Sequence, residues 1–156
     1  MPSVLFVCTA NVCRSPLAEV LFRDWLRRLA VPGEWRVSSA GTWAPEGATP
    51  PAGLCRPLHA RGLDLSGHRA RRVNADLLGV SDLTVCMTHS HCEALRVEFP
   101  RFASRIKLLS EFAGRAYDVP DPHLAAQPDY AAVIGEMAWL IEAGAPRIVA
   151  AAQNGT

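Results

Sequence analysis

Val4-Leu5-Phe6-Val7-Cys8-Thr9-Ala10-Asn11-Val12-Cys13-Arg14-Ser15-Pro16 is the stretch from which the rest of this 156-residue chain is read. Its first four residues are an unbroken apolar run, too short for a surface helix and suited to a strand buried on both faces. The run ends in a cysteine, and after a short loop an arginine, a serine and a proline open a helix. Pro16 fits a first-turn position, and Ser15 is expected to be the N-cap. Leu17, Val20, Leu21, Trp25 and Leu29 recur at helical spacing, with Glu19, Arg23, Asp24, Arg27 and Arg28 mostly on the opposite side. Strand, tight loop and helix N-terminus thus carry one thiol and one fixed cation, which together make an anion site with a nucleophile in it.

Outward from that stretch, apolar runs and helical periodicities alternate. Trp35 to Ala40 reads as a second strand, followed by a Pro/Gly-rich connection from Gly41 through Pro51. A helix from about Pro51 to Ala60 stops near Gly62, and Asn74 is placed to cap a short helix through Leu78. Asp82 to Met87 is the third strand, Thr88 the cap of a helix carrying Cys92, Leu95 and Phe99, and Arg105 to Leu109 the fourth strand. The last helix begins near Pro128-Asp129 and carries Tyr130, Val133, Met137, Leu140 and Ile141. Such alternation implies right-handed crossovers and a four-stranded parallel sheet flanked by helices on both faces, with its site beyond the carboxyl ends of the strands. Length predicts one domain over residues 1–156, with residues from about 150 to 156 expected to be disordered.

Composition bounds the function classes. An apolar fraction of 49% and a charged fraction of 20% are those of a soluble globular chain, and no apolar run approaches the roughly 20 residues a membrane span needs. A net charge of +1 predicts neither nucleic acid nor a membrane surface as partner. The five cysteines are scattered without CxxC spacing, which predicts free thiols, a reducing compartment and a cytoplasmic location. The first apolar run lacks the basic flank of a secretory signal.

The chemistry follows from residue types. A thiol at a helix N-terminus beside a guanidinium is placed to act as a nucleophile, so Cys8 is the candidate. Backbone N–H groups of Thr9, Ala10, Asn11, Val12, Cys13, Arg14 and Ser15 can converge on a tetrahedral oxyanion, and Arg14 can grip two of its oxygens in a fork. Inorganic phosphate or a phosphate monoester fits such a loop, and removing a phosphoryl group also needs an acid for the leaving atom. Asp121, held between Pro120 and Pro122, is the candidate acid; Asp118 is the fallback. His68 reads as a partly buried structural hydrogen bond. His89 and His91, two apart on a helix, face different ways and predict no metal site. Cys55, Cys86 and Cys92 read as core or surface thiols, and Trp43 either lines the mouth or covers the core.

The nine residues Cys8 to Pro16, the later Asp121-Pro122 and the order of elements between them resemble the low-molecular-weight protein tyrosine phosphatase family, over nearly the whole chain. The resemblance implies a flavodoxin-like phosphotyrosine-phosphatase-I fold, no cofactor, phosphorylated proteins or peptides as partners, and a monomer. It implies that Cys8 forms a phosphocysteine, that Arg14 binds the phosphoryl group and that Asp121 is general acid and then base. By the same resemblance Asn11, Ser15, Ser39 and His68 supply supporting hydrogen bonds, Ser15 also stabilises the thiolate, and Cys13 is a second loop thiol able to pair reversibly with the nucleophile.

Two features depart from the family. Ala10 stands where glycine is usual, so a left-handed backbone there would be strained, and His123-Leu124 stands where an aromatic pair commonly follows Asp-Pro. Val12, Trp43 and His123 are then the expected substrate wall. Met87-Thr88-His89-Ser90-His91 resembles the protein arginine phosphatase branch, whereas Val12 resembles the tyrosine branch. Phosphotyrosine hydrolysis is the expected activity, with arginine phosphatase the alternative and arsenate reductase or a non-hydrolytic phosphate-binding module ranked below.

Overall fold

β1 (Ser3–Cys8) is buried along its whole length, as an apolar run without alternation requires. The computed structural model describes residues 1–155; Thr156 lies outside the described residues. β1 pairs in parallel with β2 (Arg36–Gly41) on one side and β3 (Leu83–Cys86) on the other, and β4 (Ile106–Leu108) completes the sheet in the order β2-β1-β3-β4. The first strand is therefore central, and the loop leaving it emerges in the middle of the sheet's carboxyl edge.

The chain between the strands supplies α1 (Arg14–Arg28), α2 (Ala52–Ala60), α3 (Ala75–Gly79) and α4 (His89–Glu98); after β4 come the short α5 (Leu109–Phe112) and α6 (Tyr130–Asn154), which closes the molecule. On one face Val4, Phe6, Val85 and Met87 meet Leu17, Phe22 and Trp25 of α1 and Met137, Leu140 and Ile148 of α6. On the other, Leu5, Val7 and Ile106 meet Leu78 of α3 and Cys92 and Leu95 of α4. The predicted four-stranded parallel sheet with helices on both faces is what the sequence forms. Among the described residues no helix is long and apolar enough to cross a membrane.

Three expectations change. Cys13, not Ser15, stands at the N-cap of α1, so Ser15 already lies in the first turn. Leu109 belongs to α5 instead of β4. The end of the chain, expected to be disordered from about residue 150, continues α6 as far as Asn154. Gly144, Ala145, Ile148 and Ala152 are buried, and that packing carries the helix past Pro146, which is itself exposed. Asn74 and Thr88 cap α3 and α4 as read, their side chains accepting from Leu77 and His91 N–H, and Asp129, near which the last helix is expected to begin, caps α6 by accepting from Ala132 N–H.

Candidate active site

Register brings the site together. Cys8, the last residue of β1, lies opposite Gly41, the last of β2, and the backbone folds over both: Thr42 N–H donates to Cys8 C=O and Trp43 N–H to Thr9 C=O, each at 2.9 Å. A Cβ on Gly41 would stand 2.3 Å from Thr9 O and 3.0 Å from Asn11 N. Only glycine lets β2 pass this close beneath the loop.

The loop turns at Asn11, which has φ of 56°. Ala10, where a left-handed backbone would be strained, stays out of that region, and the turn falls on the residue type that tolerates it best after glycine. Asn11 is fully buried, and each of its polar side-chain atoms is used. Nδ2 donates to Ser15 Oγ (2.9 Å) and Ser39 Oγ (3.0 Å), and Oδ1 accepts from Arg71 N–H at 3.0 Å. Its carbonyl accepts from His68 Nε2 at 2.7 Å, which fixes that nitrogen as the protonated one. Ser39 then donates to Glu19 Oε2 at 2.6 Å, and the other Glu19 oxygen pairs with Arg23 at 2.8 Å.

Ser15 Oγ is 2.9 Å from Cys8 Sγ and 3.3 Å from Ala40 O. With Asn11 donating into it, its single proton has two acceptors to choose between. Cys8 itself is 2% exposed. Cys13 is buried too, and burial first, then the charge of Cys8, pushes its thiol up to about 12. Both are free thiols.

Arg14 is 4% exposed, far from the solvated helix-end charge its position alone suggests. Nη1 donates to Val119 O at 2.9 Å, Nη2 to Thr9 Oγ1 at 3.4 Å, and Nη2 lies 3.6 Å from Asp121 Oδ2. The segment carrying the acid is itself pinned, Val119 N–H donating to Met87 O at the end of β3. Asp121 caps the 3-10 turn Pro122–Leu124, accepting from His123 N–H at 2.9 Å. Asp118 is engaged elsewhere. Its Oδ1 accepts from His89 N–H at 2.8 Å and sits 2.7 Å from the His89 ring, and the backbone bond foremost holds its carboxyl below the usual range.

A cleft of about 520 Å³ opens over these groups, lined by Thr9, Arg14, His91, Asp118, Asp121 and Leu124 among others. Of the expected wall, none of Val12, Trp43 and His123 lines this cleft; Thr42 and Leu124, their chain neighbours in two cases, do. Trp43 is 74% exposed beside it. Sequence reasoning also missed Glu19, assigned to the solvent side, although its place four residues after Ser15 puts both on one helical face. It missed Tyr130 as a neighbour of the site: burial foremost, then the charges of Cys13 and Asp121, raises its phenol.

A buried thiol at the end of β1, a loop that leads from it into α1, and a buried guanidinium close to a carboxylate thus meet at the carboxyl edge of a parallel sheet in an α/β protein. Residues 3–152 match the family model described as low molecular weight phosphotyrosine protein phosphatase. The chain is 34% identical to a low molecular weight protein-tyrosine-phosphatase of Streptomyces coelicolor over 97% of this chain and 93% of that one. Among solved structures it resembles a low molecular weight protein tyrosine phosphatase from T. tengcongensis, at 34% identity and a TM-score of 0.86 over 94% and 99% of the two chains. It also resembles the YwlE arginine phosphatase solved as a mutant with a phosphorylated active-site serine, at 28% identity and a TM-score of 0.86 over 94% and 95%. The chain belongs to the low molecular weight phosphotyrosine protein phosphatase family, and is a cysteine-dependent protein phosphatase.

Proposed function

We propose that the protein hydrolyses phosphotyrosine in proteins or peptides through a phosphocysteine on Cys8. The observation that carries the reading is the convergence of Arg14 on both Thr9 and Asp121 beside a cysteine that Ser15 touches at 2.9 Å. Cys8 sulfur attacks phosphorus as the thiolate while the bond to the tyrosine oxygen breaks. Asp121 gives its proton to that oxygen, and Arg14 and the loop N–H groups hold the equatorial oxygens. In the second step Asp121, now a carboxylate, takes a proton from water, which attacks phosphorus and releases inorganic phosphate and Cys8.

The Ser15 proton fits both states of the sulfur. While Cys8 is a thiol, its S–H can point at Ser15 Oγ and the hydroxyl at Ala40 O; once Cys8 is a thiolate, the hydroxyl turns to it. No other atom need move. Asp121 is preferred to Asp118 because Asp118 is committed to the N-terminus of α4. A reduced cytoplasm suits a protein whose five cysteines are all free. Cys86 and Cys92 lie in the core on the sheet face opposite Cys8, which speaks against the disulfide relay of an arsenate reductase.

The preference for tyrosine over arginine rests on the resemblance of Val12 to the tyrosine branch, although Val12 is not among the residues that line the cleft. A second reading, phosphoarginine, draws on the equal overlap with an arginine phosphatase structure, a TM-score of 0.86 in both cases. Peptides bearing phosphotyrosine, phosphoserine or phosphoarginine, assayed side by side with Cys8→Ser as control, separate them. Phosphotyrosine is expected to have the highest kcat/KM and Cys8→Ser no turnover. A much higher value on phosphoarginine transfers the assignment, and binding without phosphate release on all three leaves a non-hydrolytic module.

A further inference from the structure

His91 has no part in the mechanism above, yet it is tied to the site. It sits in the first turn of α4, 6% exposed. Its Nε2 is 2.8 Å from Thr9 Oγ1, across 82 residues of chain. Thr9 Oγ1 is also the atom on which Arg14 Nη2 rests at 3.4 Å. Among the described residues one buried side-chain polar atom has no hydrogen-bond partner at all, and it is His91 Nδ1. A buried imidazole kept in place despite an orphan nitrogen calls for a reason, since unpaired buried polar groups are rare.

What each group can do limits the directions of these bonds. A guanidinium only donates, so Arg14 gives a hydrogen to Thr9 Oγ1. The Thr9 hydroxyl is then left its own proton to give, and the acceptor beside it is His91 Nε2. The second lone pair of the hydroxyl would equally accept from a protonated Nε2, so the geometry allows either direction; a role in holding Arg14 takes the one in which Nε2 accepts and the neutral ring keeps its proton on Nδ1. Burial foremost, then the positive charge of Arg14, pulls His91 down to about 4, so the ring is neutral at physiological pH. Val119 C=O holds the other terminal nitrogen of Arg14 at 2.9 Å. The plane of the fork is thus set from two sides, by the acid-bearing segment and by the Thr9–His91 pair.

We infer that His91 is a positioning residue that, through the Thr9 hydroxyl, orients the Arg14 guanidinium for the equatorial oxygens of the transferring phosphoryl group. The inference rests on the proposed phosphoryl-transfer role of Arg14. A tilted fork still attracts a dianion by charge, so ground-state binding changes little. Its two-point match to the flattened transition state is lost, so kcat changes more.

The test joins spectroscopy on the wild type with kinetics on variants. Imidazole 15N shifts at pH 7 are expected to report His91 as neutral with Nδ1 protonated; an Nε2-protonated ring overturns the inference. With p-nitrophenyl phosphate, His91→Leu and Thr9→Val should each lower kcat about tenfold, the scale of one charged hydrogen bond, with KM within about twofold. Vanadate affinity should fall by a similar factor. The double variant should lose no more than the worse single, because both act on one chain of bonds, and His91→Gln, whose amide oxygen can still accept from Thr9, should recover most of the loss. Unchanged kcat and vanadate affinity in His91→Leu, or additive losses in the double, overturn it. Should His91→Leu fail to fold, Thr9→Val and the wild-type tautomer decide. A wild type that hydrolyses no phosphorylated substrate overturns the proposed reaction instead, while vanadate affinity still decides the role of His91.

Discussion

Asp118 and Asp121 are three residues apart, and the sequence makes either a candidate acid. Geometry separates them. Asp118 is held by the first N–H of α4 and by the His89 ring, which favour its ionised form; a carboxylate so held is a poor proton donor. Asp121 stands 3.6 Å from Arg14, the arginine proposed to bind the phosphoryl group. Asp121→Ala is expected to lower kcat by about a hundredfold or more on phosphotyrosine, the usual scale for a lost general acid. On p-nitrophenyl phosphate, whose leaving group needs little protonation, the loss should be much smaller. Asp118→Ala should change both by no more than a few-fold, and the reverse pattern in steady-state kinetics would reassign the acid. Cys8, Arg14 and Asp121 stand out as candidates in the sequence because their cues are local, a short spacing and two flanking prolines, and the structure places Arg14 3.6 Å from Asp121. Glu19, Val119 and His91 do not stand out, since each meets its partner only once separate strands are in register. For Ser15 the local cue misleads and the resemblance does not: its hydroxyl lies 2.9 Å from the Cys8 sulfur, as the resemblance implies, and does not cap the helix.

At the scale of elements, the site is where the end of β2 passes under the loop that leaves β1. The two strands are paired along their length, so their ends cannot separate without breaking the sheet. Gly41 is the point of least clearance, a Cβ there meeting Thr9 O at 2.3 Å and Ala44 Cβ at 3.1 Å. Backbone cannot yield as a flexible side chain does. Gly41→Ala is therefore expected to push the loop off its geometry, costing about 1–3 kcal/mol of stability as overpacking does. Phosphate affinity should fall by at least about tenfold, since the loop N–H groups no longer converge. Urea denaturation and calorimetric titration with phosphate check the two effects, and a variant binding phosphate like the wild type would show that the loop can shift as a body. Elements with strong signals, β1 and the capped helices, are placed by periodicity and caps alone. The last two turns of α6 are not, because a proline ends a helix in isolation and only burial against the rest of the molecule overrides it.

For the molecule as a whole, the alternation of strands and helices is enough to order the layers, while the pH range in which those layers hold together depends on buried groups that no local pattern exposes. His91 sits at about 4 in the folded protein against an ordinary 6.5, through burial first and Arg14 second. Between those values the unfolded chain takes up a proton that the folded one refuses. Its contribution to stability is therefore complete above 6.5 and is lost as pH falls toward 4. Cys13 sits at about 12 against an ordinary 9.0, through burial first and Cys8 second. From 9.0 upward the unfolded chain releases a proton that the folded one keeps, so stability falls again as pH rises toward 12. These two groups predict a plateau between about 6.5 and 9.0 with a decline on either side, measured as urea midpoints across pH. Lowered carboxylates such as Asp118 act only below their unfolded range near 3.8, so the decline between 6.5 and 4 belongs chiefly to the histidine. His91→Gln, which has nothing to titrate there, should flatten that limb and leave the alkaline one as it was. An acid limb of the same slope in His91→Gln would mean that the proton is taken up elsewhere. In that case the ring beside Thr9 is not buried in the neutral form that holding Arg14 requires.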